Sequence, residues 1–458
     1  MTSMQLMSAR WVVTVEPSGQ VLENHTLAVQ DGTIVDILPT DEAMTKYASV
    51  PASERWEGKE SVLLPGFINC HTHSAMTLLR GIADDLSLMP WLHEHIWPAE
   101  GALVSPDFVY DGTNLAMAEM LRGGTTCFND MYFFPDAVGR ATNEVGMRAS
   151  LGIICIGFPS AYCGDPAKSM PENIAAYIAK GEEIAADQFS KYPLVTTTVA
   201  PHAPYTVGSE GMALAKAASD KLGVPLHIHL HESETECTDW EAANKERPVA
   251  TLQRLGMVNE RLVAVHMTQM TDEEIVVMAA GKASVVHCPE SNMKLASGTC
   301  PVTKLLAAGI NVGIGTDGCA SNNDLDMYGE MRTAALLAKL SSKDPTSVPA
   351  QQALHMATMG SAKALGIDKS VGSLVVGKAA DIQAVDMSAI ESAPMYSVIS
   401  HLVYCTGRSQ VSDVWVNGKQ LVKGRKLQTL DEGAVMVKAR EWAAKAKEHA
   451  TVPPVAAA

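Results

Sequence analysis

The sequence predicts an α/β protein: a (β/α)8 TIM barrel with a small β-sandwich domain formed from both chain ends. Through the middle of the 458-residue chain, short apolar runs alternate with helix-length segments, whereas both ends are rich in β-branched runs and turn residues. Strand–helix alternation implies parallel strands, and eight such strands are the number in a TIM barrel. The apolar runs lie at residues 62–69, 125–129, 149–156, 194–200, 225–231, 262–267, 283–288 and 311–316.

The two chain ends are predicted to form one domain, because both have short strand-like runs around a turn. The turns are Asp31-Gly32 in the first half and Asn417-Gly418 in the second. Residues rich in Ala, Lys and Glu then predict a surface helix near the C-terminus. The predicted boundaries are residues 1–60 and 371–430 for the small β domain, 61–370 for the catalytic barrel, and 431–458 for a C-terminal helix and a frayed tail.

Composition and charge narrow the class of partner. The formal net charge is −16 and no run of Lys or Arg occurs, which argues against binding to nucleic acid or to an anionic membrane. No apolar stretch reaches the ~18 residues of a membrane span, and the N-terminal residues show no secretion signal. Nine cysteines occur singly without a CxxC pair, so we expect a reducing cytoplasm and no disulfide framework. A homo-oligomer is compatible with these observations.

Histidines at the ends of predicted strands are the main functional signal. His71 and His73 end the first barrel strand, and residues i and i+2 of a strand face the same side. Both imidazoles therefore project at the C-terminal mouth of the barrel, where barrel enzymes hold their active sites. Two imidazoles on one face can share a divalent ion, although a pair of surface or core histidines would show the same spacing.

The fifth strand ends in three alternating histidines, His227, His229 and His231, followed by Glu232. The same period directs all three toward the barrel interior, and buried imidazoles are costly unless bonded, so a polar site is indicated. The spacing leaves open which of them binds a metal, and His227, the deepest, could serve only as a hydrogen-bonding core residue. Glu232 could turn its carboxylate over the mouth or be a solvated residue of an acidic loop.

Two further strands end in residues of the metal-binding type. His266 ends the sixth strand and Asp317 ends the eighth. Asp317 alone could be an ordinary Asp-Gly turn residue. Four or five strands that each deliver such a side chain to one rim are much harder to explain by turns and packing. The joint pattern therefore predicts a metal-dependent barrel enzyme.

Five motifs give the chain a resemblance to a known family. They are PGFINCHTH at residues 65–73, HLHE at 229–232, VHM at 265–267, HCPESNMKLASG at 287–298 and GTDGCASNN at 315–323. Together they resemble the amidohydrolase superfamily, and within it the deaminase and chlorohydrolase branch. The likeness is greatest to the 5-methylthioadenosine/S-adenosylhomocysteine deaminases, and it extends into the C-terminal β domain over residues 372–382.

The resemblance implies a centre with one metal ion. His229 is favoured over His231, because the family's ligand histidine stands three residues before the catalytic glutamate. The fourth strand, residues 194–200, has no Lys, Glu or Cys that could bridge a second ion. One divalent ion per chain is therefore expected, Zn²⁺ first and Fe²⁺ as the second option, since this ligand set suits several metals. The implied ligands are His71, His73, His229 and Asp317.

The resemblance also implies a catalytic group. Glu232 becomes the proton shuttle, which protonates a ring nitrogen beside the attacked carbon and then the departing ammonia. His266 and Asp317 take or hold the proton of the attacking water, whose pKa a bound Zn²⁺ lowers to ~7. The implied activity is hydrolytic deamination of an adenine nucleoside, with release of ammonia and the inosine-type product.

Substrate-binding residues follow from the same resemblance. His202 matches a histidine that contacts substrate after the fourth strand, and Glu100 matches the glutamate that receives ribose hydroxyls. Trp91 lies shortly before Glu100 on the same segment. The implied substrate-binding residues are Glu100, His202, Glu232 and Trp91.

One departure bears on the substrate. Relatives that accept S-adenosylhomocysteine can present arginines to its carboxylate after the third strand, but residues 152–168 contain none, and Arg148 is expected to be structural. This favours a neutral, apolar 5′ tail, and thus 5′-methylthioadenosine over S-adenosylhomocysteine, with adenosine also accepted. The residues expected to surround such a tail are Met89, Trp91, Phe158 and Tyr162.

Three alternatives remain open at this point. The same site could act on another ring substrate, such as guanine, a pterin or a triazine. Cyclic-amide hydrolysis usually goes with the two-metal site that the fourth strand argues against. A non-enzymatic scaffold would predict lost ligands, and none of the four is lost.

Overall fold

The computed structural model describes residues 4–449 and contains two eight-stranded sheets. Four strands precede the barrel: β1 (Met4–Val13), β2 (Val21–Gln30), β3 (Thr33–Pro39) and β4 (Arg55–Pro65). The barrel strands are β5 (Phe67–Thr72), β6 (Thr125–Asp130), β7 (Arg148–Cys155), β8 (Val195–Pro201), β9 (Leu226–Leu230), β10 (Leu262–His266), β11 (Ser284–His287) and β12 (Asn311–Ile314). Four strands follow: β13 (Ile382–Asp386), β14 (Val411–Val416), β15 (Lys419–Lys423) and β16 (Lys426–Leu427).

Strands β5 to β12 pair in chain order and in parallel, which confirms the predicted barrel. The backbone N–H of Asp317 donates to the carbonyl of His71 at 3.0 Å and so joins the chain after β12 to β5. The sequence predicts one barrel strand from the apolar run at residues 62–69 to His71 and His73, but the chain crosses between the two sheets at Gly66, so that β4 ends at Pro65 and β5 begins at Phe67. A Cβ on Gly66 would lie 2.1 Å from the Thr126 side chain, so only glycine fits there.

The other eight strands form the predicted small β domain from both chain ends, joined in one continuous mixed sheet. Their order is β16-β15-β14-β13-β4-β1-β2-β3, and β1 and β4 are the parallel pair. Both predicted turns are present, because Asp31, Gly32, Asn417 and Gly418 all have the positive φ of a type I′ turn. The turns also touch: a Cβ on Gly32 would lie 2.5 Å from the carbonyl oxygen of Asn417.

Helices cover the outside of the barrel. The C-terminal helix packs on the helix after β5, with the Trp442 and Phe108 rings 5.2 Å apart. The predicted frayed tail, from residue 450, lies outside the described residues. The α-helices are Thr40–Lys46, Leu88–Pro90, Trp97–Leu103, Pro106–Arg122, Pro135–Val145, Met170–Asp187, Pro204–Leu222, Glu234–Asn244, Pro248–Arg254, Asp272–Gly281, Pro289–Lys294, Val302–Ala307, Met327–Ser342, Ala350–His355, Ser361–Ala364, Val398–Tyr404 and Glu432–His449. Two π-helical segments are Trp91–Ile96 and Met356–Gly360. The 3-10 turns are Ala52–Glu54, Ser74–Leu79, Phe189–Lys191, Ile390–Ser392 and Arg408–Gln410.

A buried ion pair ties the barrel to the small domain. Arg148 at the start of β7 donates to both carboxylate oxygens of Asp381, at 2.7 and 3.0 Å. Arg148 is therefore structural, as expected from its position before the strand. Between residues 4 and 449, no helix is long and apolar enough to cross a membrane. All nine cysteines are free thiols.

Candidate active site

A cavity of about 1080 Å³ opens at the C-terminal ends of the barrel strands. All the site residues that the sequence singles out line it, except His71, which is fully buried against them. Within residues 4–449, no Lys or Arg lines this cavity. Apolar and aromatic side chains form most of its wall, and the histidines and carboxylates supply most of its polar groups. Such a cavity suits an organic molecule with one reactive polar end.

Four side chains converge in a group that could hold a metal ion: His71, His73, His229 and Asp317. One nitrogen or oxygen of each lies within 4.8 Å of the others. Nε2 of His71 and Nε2 of His73 both lie 3.3 Å from Oδ1 of Asp317. Nε2 of His229 lies 3.1 Å from Nε2 of His71. Three imidazole nitrogens and one carboxylate oxygen around a common point are a donor set that fits a divalent ion such as Zn²⁺.

The rings of His73 and His229 are oriented through their other nitrogen. Nδ1 of His73 donates to the carbonyl of Met131 at 2.6 Å, and Nδ1 of His229 donates to the carbonyl of His202 at 2.7 Å. Because a carbonyl oxygen only accepts, a neutral ring so held presents an unprotonated Nε2 to the centre. Metal-binding histidines are usually held in this way, so the residues present fit the expected ion.

Asp317 is held by hydroxyl groups on the side away from the histidines. Its Oδ2 accepts hydrogen bonds from Ser291 Oγ and Ser321 Oγ, both at 2.7 Å. Its backbone has a φ of 64°, which is uncommon for a residue other than glycine and typical of functional sites. This left-handed turn after β12 directs Oδ1 toward His71 and His73.

Burial and mutual charge shift the pKa values of this group in different directions. Burial lowers the pKa of His71 to about 4. Burial also acts to lower the pKa of His73, but its hydrogen bond to Asp317 outweighs this and raises that pKa to about 9. For Asp317, burial is outweighed by hydrogen bonds to the same two histidines, so its pKa falls well below the usual value. Asp317 is therefore ionised and able to bind a cation.

The three histidines of β9 do not share one environment. His227 lies deepest, and its Nε2 is 3.0 Å from Nδ1 of His71, so it is a buried hydrogen-bonding residue. The sequence expected His231 on the same face, but β9 ends at Leu230 and His231 has a φ of 53°. Its ring turns away, with Nδ1 lying 3.6 Å from a carboxylate oxygen of Glu274. The backbone turn thus excludes His231 from the centre.

Glu232 and His266 face each other beside the four potential metal ligands. Oε2 of Glu232 lies 3.9 Å from Nε2 of His266. Burial raises the pKa of Glu232 and so favours its proton-carrying form more than water does. Nδ1 of His266 donates to the amide oxygen of Asn292 at 2.8 Å, so a neutral His266 ring presents an unprotonated nitrogen to the cavity.

Glu100 lies at another part of the cavity wall, on a helix that includes a π-helical segment. Its Oε1 accepts a hydrogen bond from the Tyr132 hydroxyl at 2.7 Å. Burial raises the pKa of Glu100 to about 7. Trp91 lines the cavity from the same segment. His202 also lines it, and burial lowers its pKa to about 3, so its ring is neutral.

The apolar part of the wall differs in part from expectation. Trp91 and Phe158 line the cavity, but Met89 and Tyr162 do not. Tyr162 instead packs against Tyr177, with ring centroids 5.8 Å apart. Other branched and aromatic side chains line the cavity in place of Met89 and Tyr162, and sequence alternation does not identify them as cavity residues. They include Leu88, Leu92, Trp97, Phe133, Ile154 and Ile156.

Sequence reasoning missed the residues that hold the predicted site residues in place. Tyr132 follows β6, so the strand-end rule that identified His71 could have identified it. Ser291 and Asn292 lie in the HCPESNMKLASG motif, whose resemblance was noted without roles for its members. Ser321 lies four residues after Asp317 in the GTDGCASNN motif.

Residues 62–421 match the amidohydrolase family. The chain belongs to this family. The predicted family and fold are therefore confirmed, and so is the predicted enzyme class, a hydrolase that acts on carbon–nitrogen bonds other than peptide bonds. A small molecule is the corresponding kind of substrate.

Curated relatives resemble this amidohydrolase over almost its whole length. A protein of Saccharophagus degradans named 5-methylthioadenosine/S-adenosylhomocysteine deaminase is 44% identical over 440 residues, which cover 96% of both chains. A protein of Thermodesulfovibrio yellowstonii with the same name is 40% identical over 438 residues, covering 96% of this chain and 98% of the relative.

Solved structures show the same architecture. An adenosine deaminase from Xanthomonas campestris with bound zinc has 47% sequence identity and a TM-score of 0.92, covering 97% of this amidohydrolase and 98% of that chain. An atrazine chlorohydrolase from Arthrobacter aurescens complexed with zinc has a TM-score of 0.87 and covers 96% and 99% of the two chains. Its identity is 22%, so this second likeness concerns the fold alone.

Proposed function

We propose that this amidohydrolase deaminates an adenine nucleoside by hydrolysis and prefers 5′-methylthioadenosine. One cavity contains both the carboxylate of Glu100 and that of Glu232, which lies beside the four potential metal ligands. This observation carries the proposal. Deamination of a purine needs a proton donor beside the attacking water, and a ribose needs an acceptor for its hydroxyl groups. Relatives named as deaminases of such nucleosides support the same assignment.

The proposed cofactor is one Zn²⁺ ion per chain, with Fe²⁺ as the second option. The proposed ligands are His71, His73, His229 and Asp317. When bound, a divalent ion lowers the pKa of water to ~7 and so supplies a nucleophile at neutral pH. The zinc in the Xanthomonas campestris relative supports this choice, and the residues of β8, Val195–Pro201, offer no bridging Lys, Glu or Cys for a second ion.

Glu232 is the proposed proton carrier. It protonates the ring nitrogen beside the amine-bearing carbon, which makes that carbon more electrophilic, and it then delivers a proton to the departing ammonia. His266 and Asp317 take or hold the proton that the attacking water gives up. Water adds to the ring carbon and ammonia leaves. Of the two protons of water, one reaches Glu232 after it has protonated the ring nitrogen and passes on to the departing amine, and the other, held by His266 or Asp317, restores the Glu232 carboxyl, so atoms and protons balance without any other reactant.

Glu100 is the proposed ribose receptor. An ionised carboxylate can accept hydrogen bonds from both ribose hydroxyls, and the Tyr132 hydroxyl already occupies one of its oxygens at 2.7 Å. Trp91 supplies an aromatic surface on the same segment, and the neutral His202 ring contacts the substrate from the β8 side. We therefore assign Glu100, His202, Glu232 and Trp91 as substrate-binding residues.

The 5′ tail is proposed to be neutral and apolar. The described part of the chain brings no Lys or Arg to the cavity wall, so a carboxylate brought there by S-adenosylhomocysteine would lack a charged partner, which is costly. A methylthio group needs only an apolar wall, which Trp91 and Phe158 supply. Burying it contributes on the order of 1 kcal/mol, at about 0.8 per CH₂.

An ammonia-release screen of purified enzyme tests the proposal. The substrates are 5′-methylthioadenosine, adenosine, S-adenosylhomocysteine, guanine and melamine. We expect the highest kcat/KM for 5′-methylthioadenosine and little turnover of guanine or melamine. Faster turnover of either of these two would replace the nucleoside assignment by that of another ring deaminase.

A variant separates ribose binding from ring chemistry. We expect Glu100→Ala to weaken adenosine binding strongly, because the nucleoside presents ribose hydroxyls. A free base has no ribose, so the turnover of any accepted free base should change little. Glu94→Ala, an exposed glutamate on the same segment, is the matched control and should leave both unchanged. Equal losses for the nucleoside and the base in Glu100→Ala would show that Glu100 serves the ring or the fold.

We also propose a cytoplasmic location, supported by nine unpaired cysteines, eight of them buried or half-buried and hence unlike a disulfide framework. A homo-oligomer stays a prediction. Sedimentation of the purified enzyme measures it directly.

A further inference from the structure

A buried glutamate outside the cavity binds the backbone of the turn that carries Glu232. Oε1 of Glu236 accepts the backbone N–H of His231 at 3.0 Å, and its Oε2 accepts the backbone N–H of Glu232 at 2.7 Å. Glu236 is only 8% exposed and does not line the cavity. Its carboxylate therefore serves the protein backbone and not the substrate.

The same turn is held from its carbonyl side by Thr268. The Thr268 hydroxyl donates to the carbonyl of Glu232 at 2.7 Å, and its backbone N–H donates to the carbonyl of His231 at 2.9 Å. Between these two sets of bonds lies the left-handed His231, whose φ of 53° redirects the chain after β9. The peptide group between His231 and Glu232 is thus fixed on both sides.

Other helix starts in this chain show how unusual the arrangement is. At Ser169 and at Thr271, a glutamate three residues later accepts the N–H of the capping residue itself, at 2.9 Å in both cases. This is the ordinary capping box. At Ser233, the third residue on is Glu236, and it reaches past the cap to the two preceding N–H groups. Ser233 still caps the helix by accepting the Glu236 N–H at 3.2 Å.

We propose that Glu236 is a positioning residue for catalysis: its two hydrogen bonds fix the turn that aims the Glu232 carboxylate at the substrate ring. The inference rests on the proposed role of Glu232 as proton carrier. Proton transfer requires heavy atoms within hydrogen-bond reach, so a small displacement of the donor slows the chemical step. Glu236 does not line the cavity and bonds to none of the proposed metal ligands, so its loss should leave metal content unchanged and should act on kcat more than on KM.

Glu236→Gln is the test variant, because it keeps the side-chain volume and changes only the acceptors. One oxygen still accepts, but the amide NH₂ then meets a backbone N–H, so two donors face each other. We expect kcat to fall on the order of 10- to 100-fold, the loss associated with a displacement of up to about 1 Å. Metal per chain should stay unchanged, and KM should change much less than kcat. Glu172→Gln, the same change at an exposed capping-box glutamate, should leave kcat unchanged.

A double-mutant cycle distinguishes positioning from general damage. If Glu236 acts through Glu232, then Glu232→Gln/Glu236→Gln should have the kcat of Glu232→Gln alone. Full multiplication of the two losses, a lost metal in Glu236→Gln, or a loss confined to KM would overturn the inference. Wild-type kcat in Glu232→Gln would instead refute the proposed function of Glu232, so the two failures are distinguishable.

A second variant keeps the inference testable if Glu236→Gln does not fold. Thr268→Val removes the hydroxyl that donates to the Glu232 carbonyl and preserves the shape of the side chain. We expect the same pattern: kcat falls much more than KM changes, and the Glu232→Gln background shows no additional loss. Unchanged kcat in a folded Thr268→Val variant would contradict the idea that this turn controls Glu232.

Discussion

Replacing Glu100 by glutamine should make the protein more stable above neutral pH while it weakens nucleoside binding. Burial raises the Glu100 pKa from 4.5 to about 7. At about 1.4 kcal/mol per pKa unit, ionising this carboxyl in the folded protein costs at most about 3.5 kcal/mol. The Glu100 side chain faces an open cavity and the residue is partly exposed, so solvent screening reduces the expected cost to about 1–2 kcal/mol.

The sign follows from proton binding. Folded Glu100 holds its proton more tightly than the unfolded chain does, so its effect on stability is favourable at low pH and is lost as pH rises from about 4.5 to about 7. Glutamine does not titrate. The free energy of unfolding of Glu100→Gln minus that of the wild type should therefore be about 1–2 kcal/mol larger near pH 8 than near pH 5.

Urea unfolding of both proteins at the two pH values, at equal metal content, measures this difference. KM for adenosine, measured on the same samples, should rise in Glu100→Gln because an amide offers one acceptor where the carboxylate offers two. Glu94→Gln is the control at an exposed position of the same segment. A stability difference that is the same at both pH values would refute the reasoning from burial.

The remaining predictions concern the metal, the proton carrier and the substrate tail. Elemental analysis of protein purified without added metal should find one divalent ion per chain, and two ions of similar affinity would contradict the single-metal centre. Glu232→Gln should keep that ion and lose ~10²–10⁴-fold in kcat, the usual contribution of a general acid–base group; a lost ion or near-normal turnover would reject the role. The ratio of kcat/KM for 5′-methylthioadenosine to that for S-adenosylhomocysteine should be at least about tenfold, because about 1 kcal/mol of methyl burial adds to the cost of an unpaired carboxylate. Equal values in one buffer would show that a basic group from elsewhere meets that carboxylate.

The barrel and its mouth could be predicted because both depend on simple periods. Alternation along a parallel strand identified His71 and His73 on one face, and the strand ends at His266 and before Asp317 located the rim. The start of the first barrel strand was predicted too early, within the apolar run that begins at residue 62, because Val62 to Leu64 and Phe67 to Ile68 are equally apolar. A hydropathy pattern does not reveal that the chain changes sheet at Gly66, because the need for glycine there comes from the nearby Thr126 side chain.

The cavity wall was harder to predict than the polar rim. Tyr162 and Phe158 stand four residues apart in a segment without regular structure, and only Phe158 reaches the cavity. Hydrophobicity does not distinguish a side chain that packs in the core from one that lines a cavity, because both are buried by apolar neighbours. Glu100 could be assigned from family resemblance, whereas its raised pKa follows from a burial that only the folded chain provides.

Strand alternation no longer predicts the direction of a side chain beyond the end of the strand, and the residues of the site lie at these strand ends. His231, His266 and Asp317 each follow or end a barrel strand with a positive φ, at 53°, 74° and 64°. A left-handed residue other than glycine costs on the order of 1 kcal/mol or more, so it persists only where surrounding bonds hold it. At His231 those bonds come from Glu236 and Thr268. The side chains that such turns aim therefore depend on residues that never reach the cavity, which explains why strand spacing grouped His231 with His229 and could not separate them.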